Sequence, residues 1–530
     1  MILFHRNAKK IIRYASITTL TFIVCWGLLL VIAQIKPLLI DEWRIIYNLK
    51  YKDAAGLWGE LDFMQQFPRV YLEVIKAFSS ACDYSYFSLR FPSFLIGTFT
   101  IFFAYRLSAR LFGSTDIRRF LFVLIIAASP TFTDYFVQVK QYTMDILLAV
   151  LSIWQLLQLM QAANVSNQSR SRYILLCASF LSAPFFSYAY PIIIAPVFVI
   201  AFVRSISAIR LQDSQGGVMR FLCRLWVPLI ICAAAVVVFY RADAAQLMND
   251  KSMHTYWDFR MMRHGFHPLQ FFVAFYDLFA LCGAGIVFEI IFGILGIWGF
   301  INAVVFSTRS LKKAKWNTAD HTSWYCASAV VAIMLLFSTG NLAIGEARLT
   351  CFCAPVVSLL IISAVCSLPY YKYSIIAKPI VILVLFIGVA GNAFTALVGE
   401  QLTPQHALAL HVYENTENAI IQAASEKTPI FISSDIASPY ERILNFPATD
   451  IPATAMYTLP DNAAAGDAGH KEKVPGDWIL KTFPAYKAAD QVAVYALNNP
   501  HDLRLRIAQL PATVKCVLMG DGQCFRKICR

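Results

Sequence analysis

SLRFPSFLIGTFTIFFAYRLSARLFGSTDIRRFLFVLIIAASP, Ser88 to Pro130, sets two apolar runs on either side of a short basic turn. The runs begin at Leu89 and Phe120, and Arg106, Arg110, Arg118 and Arg119 lie between them. An apolar run of about 18 residues crosses a bilayer core of about 30 Å as a helix, the one single-segment structure that satisfies its own backbone there. The stretch therefore reads as a transmembrane hairpin, and the rest of the chain repeats its pattern.

Working outward, helices are predicted at about Tyr14 to Ile35, Leu89 to Ala109, Phe120 to Val137, Tyr142 to Met160, Tyr173 to Tyr188 and Pro191 to Ile206. Others follow at about Phe221 to Tyr240, Leu278 to Phe306, Trp324 to Gly340, Leu349 to Leu368 and Ile375 to Leu397, about eleven spans in all. Pro184, Tyr188, Tyr190 and Pro191 interrupt the fifth and sixth, which read either as two short helices or as one broken helix. The composition agrees: of 530 residues, 58% are hydrophobic and only 15% charged, far from the balance of an ordinary soluble chain.

Basic residues gather in every second loop. Arg6, Lys9, Lys10 and Arg13 precede the first span, and Arg170 and Arg172 follow the fourth. Arg204, Arg210, Arg220 and Arg224, then Arg309, Lys312, Lys313 and Lys315, then Lys372 and Lys378 continue the series. Short loops rich in Lys and Arg stay on the cytoplasmic side. This places the N-terminus inside a multi-pass plasma (inner) membrane protein, and segments 36 to 88, 241 to 277 and 398 to 530 outside. The net charge of +13 is then mostly a topology signal, and no nucleic-acid partner is implied. The first span, basic at its start, is too long for a signal peptide and lacks a small-residue cleavage site, so it reads as an anchor.

After about Val398 the long apolar runs stop. Thr403 and Pro404 mark a helix start, and short apolar runs at Thr428 to Ser433, Gln491 to Leu497 and Thr513 to Leu518 read as strands. Helical patterns recur at Glu441 to Phe446 and Leu503 to Leu510. The expected fold is an all-α polytopic membrane domain, residues 1–398, followed by a small extracytoplasmic α/β domain, residues 399–530. Most cysteines fall within spans and act as small apolar side chains. Cys516, Cys524 and Cys529 fall outside, where an oxidising compartment permits a disulfide of unassigned connectivity.

Ionisable residues at helix ends mark where water and substrate meet the membrane. Directly after the first span comes Asp41-Glu42-Trp43-Arg44, opening a pattern that suggests an interfacial helix. A lone acid there would be ordinary surface chemistry. The string is followed, however, by QQFPRVYLEVIKAF around Pro68, by Leu89-Arg90-Phe91-Pro92, by Ser129-Pro130 with Lys140-Gln141-Tyr142, and by Arg348 in EARLTCFCAP. In that order and topology the strings resemble the GT-C glycosyltransferases, in the branch of protein O-mannosyltransferases and lipid A aminoarabinose transferases. Pro68-Arg69 stands where the family usually has two prolines, and Lys140 where it has arginine.

The resemblance implies an inverting glycosyltransferase using a polyprenyl-phosphate-linked sugar, with a lipid, glycan or protein acceptor and membrane lipids as its surroundings. It calls for no cofactor and no metal. A sugar phosphate already has a good leaving group, so the chemistry needs cations on the phosphate, for which Arg69, Lys140 and Arg348 are the candidates. It also needs a base for the acceptor hydroxyl, and by the resemblance this is Asp41, with Glu42 second or orienting the site. Arg44, Tyr142, His264 and His267 are candidate acceptor or loop contacts. The second outer loop, Arg241 to Phe275, also contains His254 and Asp258, and it reads as a wet interfacial cover rather than a metal site. A rival function, a transporter or flippase of lipid-linked sugars, usually shows repeated halves and midplane charges. Here there is no repeat, and of the acids within the spans only Glu289 sits deep.

Overall fold

In the computed structural model the chain divides into two units, Met1–Ile35 with Asn48–Val398, and Lys36–Tyr47 with Gly399–Arg530. The structure describes, apart from short gaps, residues 52–244, 260–367 and 374–395, with Trp26, Gly27, Glu42, Ile45, Ile46, Asn48, Leu49 and five C-terminal strands. The first predicted span, but for Trp26 and Gly27, and the helices expected after Thr403 lie outside the described residues.

Among the described residues, seven helices are long and apolar enough to cross a membrane. In chain order the first unit holds α1 (Ala54–Trp58), α2 (Arg69–Ser80), α3 (Tyr86–Phe112), α4 (Ile117–Ala127) and α5 (Pro130–Tyr135). Next come α6 (Tyr142–Asn164), α7 (Arg170–Ser182), α8 (Tyr190–Leu211) and α9 (Gln215–Phe239). The series ends with α10 (Pro268–Ala280), α11 (Ile286–Ser310), α12 (Thr318–Ser338), α13 (Ala347–Thr350), α14 (Ala354–Ser367) and α15 (Ser374–Phe394).

Helix α6 is the centre of the bundle, packing against α3, α8, α9, α12 and α14. Its sequence is apolar on most sides, as befits a helix enclosed by other helices. Polar side chains tie it to its neighbours where lipid offers no alternative partner. The Tyr325 hydroxyl of α12 bonds the Ser152 hydroxyl at 2.5 Å and donates to the Ile193 carbonyl at 2.9 Å, joining α6, α8 and α12. Tyr190 donates to Gln155, whose amide donates to Ser179, joining α8, α6 and α7.

Helix α11 reaches its neighbours differently, through Gly293, Gly296 and Gly299 at helical spacing. A Cβ on Gly299 would lie 1.9 Å from the Leu360 carbonyl oxygen of α14, and one on Gly296 would lie 2.9 Å from the Phe279 side chain of α10. Small residues are what let such backbones approach. Asn392 of α15 fixes the turn before α11, donating to the Cys282 carbonyl and accepting from the Ala284 amide, both at 2.7 Å.

Three predicted spans are corrected. Phe120 to Val137 is two helices, because Pro130 has no N–H to continue α4 and Ser129 caps α5 by accepting from the Phe132 amide. Leu278 to Phe306 breaks after Ala280, with Gly285 at φ 75° before α11. The expected helix from Tyr173 to Tyr188 ends at Ser182 and tightens into a 3-10 turn, Ala183–Phe186, so the interrupted stretch is two helices with α8 beginning at Tyr190. The loop expected from Arg241 to Phe275 is likewise shorter, since α9 continues as a π segment, Tyr240–Ala244, and α10 starts at Pro268.

The second unit carries β1 (Ile430–Ser433), β2 (Met456–Leu459), β3 (Gln491–Tyr495), β4 (Val514–Met519) and β5 (Cys524–Cys529) in the order β2-β1-β3-β5-β4. β1 runs parallel to β2 and β3, and β5 runs antiparallel to β3 and β4. In this register Cys516 stands opposite Lys527 and Cys529 opposite Val514.

Candidate active site

One end of the helical bundle gathers most of the described polar candidates. It is formed where α2, α6 and α8 begin, where α9 ends in its π segment, and where α13 leads into α14.

Pro68 ends the extended stretch 65–68 and opens α2, whose apolar face buries Tyr71, Leu72 and Ile75. This sets Arg69 at the first helical position, where the backbone N–H has no partner within the helix. Asp243, from the π segment of α9, supplies it. Its carboxylate accepts from the Arg69 amide at 2.8 Å and lies 3.5 Å from the Arg69 Nε. Both side chains are buried, at 6% and 2% exposure, so this is an interior ion pair at a helix N-terminus.

Tyr188, in the break between α7 and α8, completes the clamp. Its hydroxyl lies 2.7 Å from the Asp243 carboxylate and 3.0 Å from the Phe67 carbonyl. Burial and the Asp243 charge push the Tyr188 hydroxyl well above the usual tyrosine range, so it stays a proton donor. The Arg69 Nε and Nη1 atoms are buried and make no hydrogen bond. The guanidinium is thus gripped beside Asp243 with donor capacity to spare.

Lys140 reaches the same stretch, donating from Nζ to the Gln65 side chain at 2.7 Å. Tyr142, at the start of α6, packs its ring on Tyr135 with centroids 4.7 Å apart, and its carbonyl accepts from the Cys351 thiol. Arg348, in α13, acts electrostatically on Tyr135, and α13 packs against α5. Arg69 and Lys140 thus meet on the stretch 65–69, and Arg348 lies on a helix packed against the one that carries Tyr135.

Two acids of this end were not picked as site residues from sequence. Asp145, in the first turn of α6, is buried and accepts from the Ser187 hydroxyl, within electrostatic reach of Tyr71 and Cys351. By sequence, Asp243 falls within the loop expected from Arg241 to Phe275. The signal for both was the interrupted string FFSYAY, whose Ser187 and Tyr188 contact them.

Among the remaining candidates, Asp41, Arg44 and His264 lie outside the described residues. Glu42 is helical and buried, and belongs to the second unit. His267 is exposed at the start of α10. Among the described residues no three His, Cys, Asp or Glu side chains gather to hold a metal ion.

No protein-family model and no curated protein matches the sequence. Among solved structures, the chain is similar to ArnT from Cupriavidus metallidurans bound to undecaprenyl phosphate, at 12% identity and TM-score 0.50, over 98% of this chain and 97% of that one. The apo state of the same protein gives 13% identity and TM-score 0.50 over 98% of each chain. The Archaeoglobus fulgidus oligosaccharyltransferase in its apo form follows at 10% identity and TM-score 0.49, over 90% of this chain and 69% of that one. The chain thus shares the fold of ArnT, a likeness in fold alone at this level of identity.

Proposed function

We propose that the chain is an inverting glycosyltransferase that moves a sugar from a polyprenyl-phosphate donor to a hydroxyl of a lipid, glycan or protein acceptor at the outer face of the membrane. The observation that carries this reading is Arg69, a buried guanidinium anchored on Asp243 with Nε and Nη1 unbonded, at the bundle end that also holds Lys140 and Arg348. ArnT, whose fold the chain shares, was captured with undecaprenyl phosphate, a ligand of the same chemical class.

In this reading Arg69, Lys140 and Arg348 take the donor phosphate, and their charge stabilises the phosphate as the glycosidic bond breaks. Asp41 accepts the acceptor's proton as its oxygen attacks the anomeric carbon opposite the departing phosphate, which inverts that centre. Glu42 orients the site. The N-terminus is cytoplasmic in the inner membrane, and the C-terminal segment folds as an outer α/β domain that shapes acceptor choice.

The test is turnover of a fluorescent polyprenyl-phosphate sugar by the full chain. Asp41→Asn should lower turnover by about a hundred- to ten-thousand-fold with little change in donor affinity. Lys140→Ala and Arg348→Ala should weaken donor binding as well, because a phosphate contact already exists in the ground state. Near-normal turnover in both Asp41→Asn and Glu42→Gln would remove the base from the first outer loop. Carriage of the intact donor across the membrane would make the protein a flippase.

A further inference from the structure

The far end of the bundle carries another buried arginine, and unlike Arg69 it has no acidic partner among the described residues. Arg204 lies on α8, fourteen residues beyond Tyr190, which is about 21 Å along the helix. That is most of a bilayer core of about 30 Å, so Arg204 sits near the opposite interface from Arg69. It is buried, at 6% exposure, and its Nε and Nη1 atoms make no hydrogen bond. Among the described residues it has no ion-pair partner.

Its neighbours are aromatic. The guanidinium carbon is 5.3 Å from the Trp316 ring centroid and 6.0 Å from that of Phe221 on α9. Trp316 is buried with its indole N–H unbonded. The ring of His321, on α12, lies 5.5 Å from that of Trp316, and its Nδ1 is also buried and unbonded. Asp320 is committed to the cap of α12, where its carboxylate accepts from the Asn317 amide at 2.9 Å.

Three elements thus bring together a buried positive charge, an indole N–H and an imidazole nitrogen, each without a hydrogen-bond partner among the described residues. Cation–π contact offsets only part of the desolvation of a guanidinium, and a buried donor without an acceptor is destabilising. A tetrahedral oxyanion can accept from donors on several sides at about 2.8 Å, which is the chemistry that donors of these kinds call for. The same end carries Arg210, Arg220, Arg224 and Arg309, which raise the local potential for an anion.

We propose that Arg204, Trp316 and His321 form a phosphate site at the end of the bundle opposite the candidate active site, taking the phosphate of a lipid headgroup or of a soluble phosphate ester. Arg204 forks onto the phosphate oxygens, and Trp316 and His321 hold its sides.

The experiment uses the full chain in dodecyl maltoside, with thermal unfolding followed as phosphatidylglycerol, phosphatidylcholine or inorganic phosphate is added. Wild type should be stabilised by phosphatidylglycerol, by inorganic phosphate or by both. Stabilisation by phosphatidylglycerol alone identifies a lipid source, and stabilisation by inorganic phosphate identifies a soluble one. Arg204→Gln should raise the half-effect concentration by about ten- to a hundredfold, the loss expected for hydrogen bonds to a charged group. Trp316→Phe, which keeps an aromatic ring and removes the N–H, should raise it by about three- to tenfold. If Arg204→Gln fails to fold, Trp316→Phe decides alone. No stabilisation of wild type by any additive, or wild-type half-effect concentrations in the folded variants, would overturn the site.

Discussion

Replacing Asp243 by Ala leaves the Arg69 guanidinium buried beside an apolar wall and strips the first N–H of α2 of its partner. Breaking a buried ion pair from one side costs about 3–5 kcal/mol, because the remaining charge stays desolvated. An orphaned buried N–H adds about 1–3 kcal/mol, though the two losses share one carboxylate and do not simply add. Tyr188 contributes less, since its hydroxyl keeps the Phe67 carbonyl at 3.0 Å. The expected loss is therefore about 3–5 kcal/mol for Asp243→Ala. Asp243→Asn retains one acceptor oxygen and should cost about 1–3 kcal/mol. Removing the charge first, with Arg69→Met, should shrink the penalty of Asp243→Ala, giving a coupling of about 1–3 kcal/mol. Unfolding in mixed dodecyl maltoside and dodecyl sulfate micelles, reported by a thiol-reactive dye reaching the buried Cys232, Cys282, Cys326, Cys351 and Cys353, measures all four species. Additive penalties, with no coupling between positions 69 and 243, would refute the clamp.

Three other outcomes follow from the packing and the topology. Gly299→Ala places a Cβ 1.9 Å from the Leu360 carbonyl oxygen, which a rigid helix backbone cannot evade; α11 and α14 should separate at a cost of about 1–3 kcal/mol or more, measured by the same unfolding assay. Asn392→Ala removes both hydrogen bonds that hold residues 282–284, and the amide of Ala284 should exchange with deuterium faster, while exchange unchanged from wild type would mean the turn is held by other contacts. A reporter fused after Arg530 should behave as extracytoplasmic; cytoplasmic behaviour would mean that a span is miscounted.

The bundle was legible because lipid makes apolar length almost the sole criterion for a span, and the interior of α6 or α14 leaves no polar face to confuse it. The same criterion blurred the breaks. Ser129-Pro130 is a helix start by local chemistry, with a side-chain cap and a residue that cannot donate, yet it lies within an apolar run and was absorbed into one span. Cys282 to Gly285 was absorbed in the same way, although Gly285 needs its positive φ to begin α11. In both places local backbone chemistry outweighed the apolar pattern.

The candidate site divides along a similar line. Arg69, Lys140 and Tyr142 are singled out by the family-like strings QQFPRVYLEVIKAF and Lys140-Gln141-Tyr142. Their supporting partners are not, because Asp243 is 174 positions from Arg69 and nothing in YRADAA distinguishes a helix-capping acid from a polar loop. What joins them is the broken stretch after α7. A continuous helix there would have carried Ser187 and Tyr188 onward in regular register; the break after Phe186 instead lets Tyr188 meet Asp243 and Ser187 meet Asp145. Backbone interruptions in a membrane are tolerated only where protein or a polar cavity satisfies the freed groups. The segment that Pro184, Tyr188, Tyr190 and Pro191 interrupt is therefore the one that assembles the buried acids, and its irregularity is the sequence feature most directly tied to them.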